Sequence, residues 1–173
     1  MLYGKDTYDL MNDSRYLYRA LRKEEIDAGY VLIPKSQKPF QNHPRVGIDT
    51  RLPFKLGEQE EYAVRQHQWK RNGFPTSGIS TTPHFERAID YAREGVIVKI
   101  NRQLCSKYGI REYVVKEYLD KFPEDIAVPE DDEIILVKEN GNSFPKEIIE
   151  EVIPINPKIE AATEEGVKPN TLW

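Results

Sequence analysis

Three short pieces of this chain carry side chains suited to chemistry: LYRAL around Arg19, GISTTPHFERAIDYA around Ser80, and PEDDEIILV around Glu133. Arg19 offers a planar, permanently charged fork that suits phosphate oxygens, and lysine would be a poor substitute. The Ser80 hydroxyl both donates and accepts. Glu133 closes an acidic run and abuts an apolar one, a place where an anion can stabilise positive charge that develops nearby. Each residue also has a plainer use. Ser80-Thr81-Thr82 before Pro83 makes a good helix start, with Thr82 as N-cap and Glu86 near the first turn. Most acidic runs such as Glu130-Asp131-Asp132-Glu133 are solvated loops. The plain account does not explain why a carboxylate should stand where a buried strand begins.

The elements that must position these side chains can be read from periodicity and breakers. Tyr16 to Arg19 reads as extended and aromatic-rich, followed by a helix from about Arg22 to Ala28 that Gly29 stops. Pro34, Pro39, Pro44 and Pro53 mark Tyr30 to Lys55 as a long surface excursion. Glu58 to Lys70, with Tyr62, Val64 or Arg65, and Trp69 at helical spacing, predicts an amphipathic helix ended by Asn72-Gly73. A turn and short strand run through Gly78 to Thr81. Phe85, Ala88, Ile89 and Ala92 predict a helix over Pro83 to Arg93, and the alternation of Gly95 to Ile100 predicts a strand. Val114, Tyr118 and Phe122 share one stripe, so Ile110 to Phe122 reads as helical. An acidic loop from Pro123 to Asp132 then delivers the chain into Glu133 to Val137, the clearest buried strand. A hairpin-like turn at Asn140-Gly141-Asn142 leads to a last strand over Ile148 to Ile155, and residues 157–173 read as a charged tail. Helices and strands without regular βαβ alternation predict an α+β domain over residues 1–156, built on one or two small, mostly antiparallel sheets.

Composition narrows the function classes. At 173 residues the chain suits one domain, and 39% hydrophobic with 31% charged residues fits a folded globular protein rather than a disordered or membrane one. No signal or transmembrane segment is read in it. The single cysteine, Cys105, reads as a small core residue without a disulfide partner. His43, His67 and His84 are scattered without metal-ligand spacing, so no metal is expected. Interspersed charges and a net charge of −4 give no stripe for a polyanion.

Taken in order, Arg19, Ser80-Thr81-Thr82 and Glu133 resemble the Arg, Ser-Thr-Ser, Glu signature of the ADP-ribosyltransferases related to cholera toxin and the clostridial binary toxins. The resemblance runs from about Tyr16 to Ile155. Its context includes a short helix ending in Gly29-Tyr30, a helix bearing Ala88 and Tyr91-Ala92 after the Ser-Thr run, and Phe144-Pro145 ahead of the last strand. The family's fold implies two small sheets enclosing an NAD cleft with peripheral helices. Its activity implies cleavage of the nicotinamide–ribose bond of NAD, as substrate, and transfer of ADP-ribose to a macromolecular acceptor.

The chemistry suits these residue types. Glycosidic cleavage passes through an oxocarbenium-like transition state, and the nicotinamide of NAD is already cationic and leaves neutral, so one carboxylate suffices. By the resemblance Glu133 supplies it, Arg19 holds the pyrophosphate or adjoining ribose, and Ser80 keeps the two in register. Thr81 and Thr82 would shape the nicotinamide pocket, and Tyr91 or Phe85 would stack on the ring. The loop before the glutamate bears on acceptor choice. Members that modify arginine usually carry Glu two residues upstream, where this chain has Asp131, and Phe122 would offer an aromatic surface to the partner. The acceptor is expected to be protein, with nucleic acid left open, and the chain to be monomeric, without membrane association. The implied setting is a bacterial effector, toxin module or phage protein, either cytoplasmic or delivered into a target cell by an external route. An NAD glycohydrolase and a non-catalytic nucleotide-binding module of the same fold are the alternatives.

Overall fold

The computed structural model describes residues 13–37, 40, 56–68, 76–138 and 143–156, with the backbone alone for 56–59. Two three-stranded antiparallel sheets carry the fold. The first has the order β1 (Tyr16–Ala20), β3 (Val96–Asn101), β6 (Ile149–Pro154), and the second β2 (Ile79–Thr81), β5 (Ile134–Lys138), β4 (Ile110–Val114). The expected α+β class with small antiparallel sheets is what the chain adopts. Among the described residues five α-helices join the strands: α1 (Lys23–Asp27), α2 (Leu56–Gln68), α3 (Phe85–Tyr91), α4 (Arg102–Lys107) and α5 (Val115–Tyr118). Among the described residues no helix is long and apolar enough to cross a membrane.

Alternation along the strands explains the layering. Leu17, Val98 and Ile100 of the first sheet meet Ile79, Ile134 and Leu136 of the second in one core. The other face of the first sheet, through Tyr18, Ile97 and Ile153, packs on Phe85 and Ala88 of α3. The other face of the second, through Tyr113, Ile135 and Val137, packs on Val64 of α2 and on Val115 and Leu119. Because side chains point to opposite faces with period two, a central strand covered on both sides must be apolar at every position. Ile134 to Val137 of β5 meets that condition, all four being buried. Each fully buried side chain of this size contributes about 1.5–3 kcal/mol of transfer free energy.

The sheets are stitched together where the chemistry is expected. Tyr18 donates its backbone N–H to the Thr82 carbonyl at 2.7 Å, and Thr82 returns the bond at 3.0 Å, an isolated antiparallel bridge between the β1 edge and the end of β2. On its other side β2 pairs with β5, Ser80 opposite Ile135 and Thr81 opposite Ile134. Strand β2 therefore stands between the strand bearing Arg19 and the strand that Glu133 precedes.

Some expectations from periodicity are overturned. Ile110 to Phe122 is not one helix: β4 pairs along β5 from Ile110↔Lys138 to Val114↔Ile134, and only the single turn α5 follows. The stripe of Val114, Tyr118 and Phe122 competes with the open backbone edge of β5, whose donors and acceptors are satisfied by a third strand. No hairpin joins the strands flanking residues 140–142, because β5 and β6 lie in different sheets; the turn itself is outside the described residues. The stretch after Tyr30 is not wholly a surface excursion, since Leu32 is buried in the inter-sheet core and its carbonyl accepts from Phe144 N. The cap position of α3 is His84 rather than Thr82. Thr82 still supports that entry, its hydroxyl accepting from His84 N at 3.1 Å. Glu133 stands one residue before β5 rather than within it. Helix α4, between β3 and β4, carries Cys105 into the core. Gly29 does end the first helical segment, at φ 81°. Trp69, Asn72, Gly73 and the tail from residue 157 onward lie outside the described residues.

Candidate functional site

Arg19 follows Tyr18 on β1, and alternation turns it away from the α3 face that Tyr18 occupies. Its side chain is 4% exposed, and Nη1 donates to the Ser80 carbonyl at 2.9 Å. Nη2 donates to the Glu25 carboxylate at 3.1 Å. Glu25 has no solvent exposure and also accepts from the backbone N–H groups of Arg22 at 2.9 Å and Ile33 at 3.1 Å. Burial opposes ionisation of Glu25, but the Arg19 charge and these N–H groups outweigh it and hold the carboxyl below its ordinary range. For Arg19, burial pulls the guanidinium pKa down, while attraction to Glu25 and Glu133 works against that shift.

Ser80 and Glu133 are turned toward α2. The Ser80 hydroxyl lies 2.9 Å from Nε2 of His67. The same ring nitrogen is 3.4 Å from Glu133 Oε1, and Gln68 Nε2 donates to Glu133 Oε2 at 2.6 Å. Gln68 in turn accepts from Ala127 N at 3.1 Å, which ties the helix end to the loop preceding Glu133. Glu133 is 8% exposed, and its carbonyl accepts from Val115 N at 3.0 Å, fixing the backbone at the strand entrance. Asp132, immediately before it, has φ 47°, a left-handed conformation that Asp tolerates better than most residues. Its carboxylate is held by His84 Nε2 at 2.6 Å and by Lys116. Burial raises the Asp132 pKa, but these two partners overcome it and depress the carboxyl.

The remaining predicted positions have defined places. Thr81 donates its hydroxyl to the Ile134 carbonyl and Thr82 donates to the Asp131 carbonyl, both at 2.6 Å, so both hydroxyls tie β2 to the Glu133 segment. Phe85 is fully buried, its ring centroid 5.3 Å from that of Tyr18, and belongs to the core. Tyr91 donates its hydroxyl to Asp131 Oδ2 at 2.6 Å, while Arg87 Nε donates to Oδ1 at 2.8 Å. Asp131 is buried, its carboxylate committed to these two partners. Phe122 is partly buried, with the Arg65 guanidinium 4.3 Å from its ring centroid.

Comparison with protein-family models, with curated proteins and with solved structures returns no match to this chain.

Arg19, Ser80 and Glu133 are brought into one neighbourhood. Arg19 meets Ser80 at the carbonyl, and the Ser80 hydroxyl meets Glu133 through His67. The sequence reading missed His67, Gln68 and Glu25. A signal for the first two was present: Ala63 and Val64 are buried on α2, and His67 and Gln68 stand four residues further along the same face. Polar residues that continue an apolar stripe must find partners inside the protein. No comparable pattern marks Glu25, whose role depends on Arg19 and Ile33 folding around it.

Proposed function

We propose that this chain cleaves the nicotinamide–ribose bond of NAD, with Glu133 as the carboxylate that stabilises the developing ribosyl cation, and passes ADP-ribose to a macromolecular acceptor. The observation supporting this reading is the connected path from Arg19 through Ser80 and His67 to Glu133. A guanidinium at the Ser80 backbone, with the Ser80 hydroxyl and the Glu133 carboxylate both beside His67, suits a substrate that carries a pyrophosphate at one end and builds positive charge at the other. A carboxylate in a site of low exposure interacts with such a charge more strongly than one in water. As the bond breaks, its electron pair goes to the nicotinamide nitrogen, which becomes neutral. The acceptor's nucleophile then bonds to the ribose carbon and releases a proton to solvent.

The engagement of Asp131 favours water as a second candidate acceptor. With both carboxylate oxygens held by Tyr91 and Arg87, Asp131 is poorly placed to serve as a base toward a guanidinium acceptor. The glycohydrolase reading needs no such base.

Incubating the purified chain with NAD and measuring nicotinamide release tests the reading. Glu133→Gln should lower release by about 10²–10³-fold, the usual cost of one preorganised electrostatic contact. Undiminished release in that variant would remove Glu133 from the mechanism, and an inactive wild type would remove the reading itself. Labelled NAD supplied with cell lysate separates the two acceptors, because only a transferase leaves label on a macromolecule.

A further inference from the structure

We propose that the last turn of α2 belongs to this site, with His67 and Gln68 as positioning residues, His67 for the Ser80 hydroxyl and Gln68 for the Glu133 carboxylate. The inference rests on the NAD-cleaving reading above and deepens it.

The geometry is specific to the ends of the side chains. Two adjacent residues reach the two oxygens of one carboxylate: Gln68 Nε2 stands 2.6 Å from Oε2, and His67 Nε2 stands 3.4 Å from Oε1. His67 also reaches Ser80 Oγ at 2.9 Å, so a single ring nitrogen faces both side chains that the reaction would use. Both residues are 4% exposed. Buried polar groups so placed hold their partners in one arrangement, which is the condition for a site to be organised before substrate arrives.

The tautomer of His67 follows from what faces Nε2. Nδ1 contacts the Thr76 hydroxyl, and that hydroxyl oxygen already accepts from Gly78 N at 3.3 Å. Because Nε2 faces the Glu133 carboxylate, an acceptor only, the ring proton sits on Nε2 and is directed at Ser80 Oγ, and the Thr76 hydroxyl donates its own proton to Nδ1. A neutral ring in this form donates to the hydroxyl oxygen and leaves the Ser80 proton directed elsewhere in the site. With the opposite tautomer, Nε2 would face the Glu133 carboxylate as an acceptor against an acceptor.

Two substitutions separate positioning from mere filling of space. The side-chain amide of His67→Gln can place an N–H donor where Nε2 stands, whereas that of His67→Asn reaches only the Nδ1 position. Initial rates of nicotinamide release should fall about 10- to 100-fold in His67→Asn, with kcat affected more than KM, and His67→Gln should restore most of the loss. Equal activity in the two variants, with wild-type release intact, would overturn the inference while leaving the NAD reading standing. Absence of release from the wild type would overturn both. Should His67→Asn fail to fold, nitrogen-15 NMR of the folded wild type decides the matter. A proton on Nε2 supports the assignment, and a proton on Nδ1 overturns it.

Discussion

Arg19 and Glu25 form an ion pair at 3.1 Å in which neither side chain exceeds 4% exposure. Pairs of this kind are costly to break, because removing one partner leaves the other charged and dry. The site's guanidinium thus depends on a carboxylate six residues further along the chain.

Glu25→Gln should destabilise the fold by about 3–5 kcal/mol, measured by denaturant unfolding at neutral pH. The sign with pH follows from the depressed carboxyl. Its stabilising contribution is present above the ordinary value of 4.5 and is lost as pH falls through the lower folded value. The wild-type protein should therefore lose stability in acid more steeply than Glu25→Gln. Parallel pH profiles for the two proteins would contradict the role assigned to Glu25.

Arg19→Lys retains the charge but not the fork that serves the Ser80 carbonyl and Glu25 together. One of these buried acceptors then loses its donor, at a cost of about 1–3 kcal/mol. Thermal unfolding should register that loss even in the absence of NAD. On the proposed reading, nicotinamide release should fall as well, and retention of both properties would show that a point charge suffices.

Gly78 abuts the site so closely that a Cβ there would lie 2.5 Å from Ile135 Cγ2 and 3.1 Å from His67 Nδ1. Gly78→Ala should cost about 1–3 kcal/mol, as over-packing of a core generally does. Because the same methyl presses on the imidazole, His67 NMR resonances should move. An alanine variant as stable as the wild type would mean that β5 yields freely at Ile135.

Burial pushes the Cys105 thiol up to about 12, so at pH 8 it carries almost no thiolate. A disulfide reagent should leave the native protein unmodified and titrate one thiol after denaturation. Rapid reaction of the folded protein would place Cys105 nearer solvent than its position in the inter-sheet core allows.

The sequence by itself determined the elements whose side-chain pattern is dictated by local geometry. β-Branched, apolar runs specify β3 and β5, and Gly29 stops a helix because its left-handed backbone suits glycine. Arg19, Ser80 and Glu133 could be singled out because a guanidinium, a hydroxyl and a carboxylate beside apolar strands call for an explanation. Tertiary structure alone decided what those residues touch. Ile110 to Val114 pairs as a strand because β5 offers an open edge, a demand that the helical stripe through Val114 and Tyr118 does not reveal. His67 and Gln68 meet Glu133, and Glu25 meets Arg19, through contacts fixed by packing around β2. Periodicity reports which face of an element is buried. The partner on that face is set by elements distant in the chain, through distance-dependent hydrogen bonds and charges that no local pattern encodes.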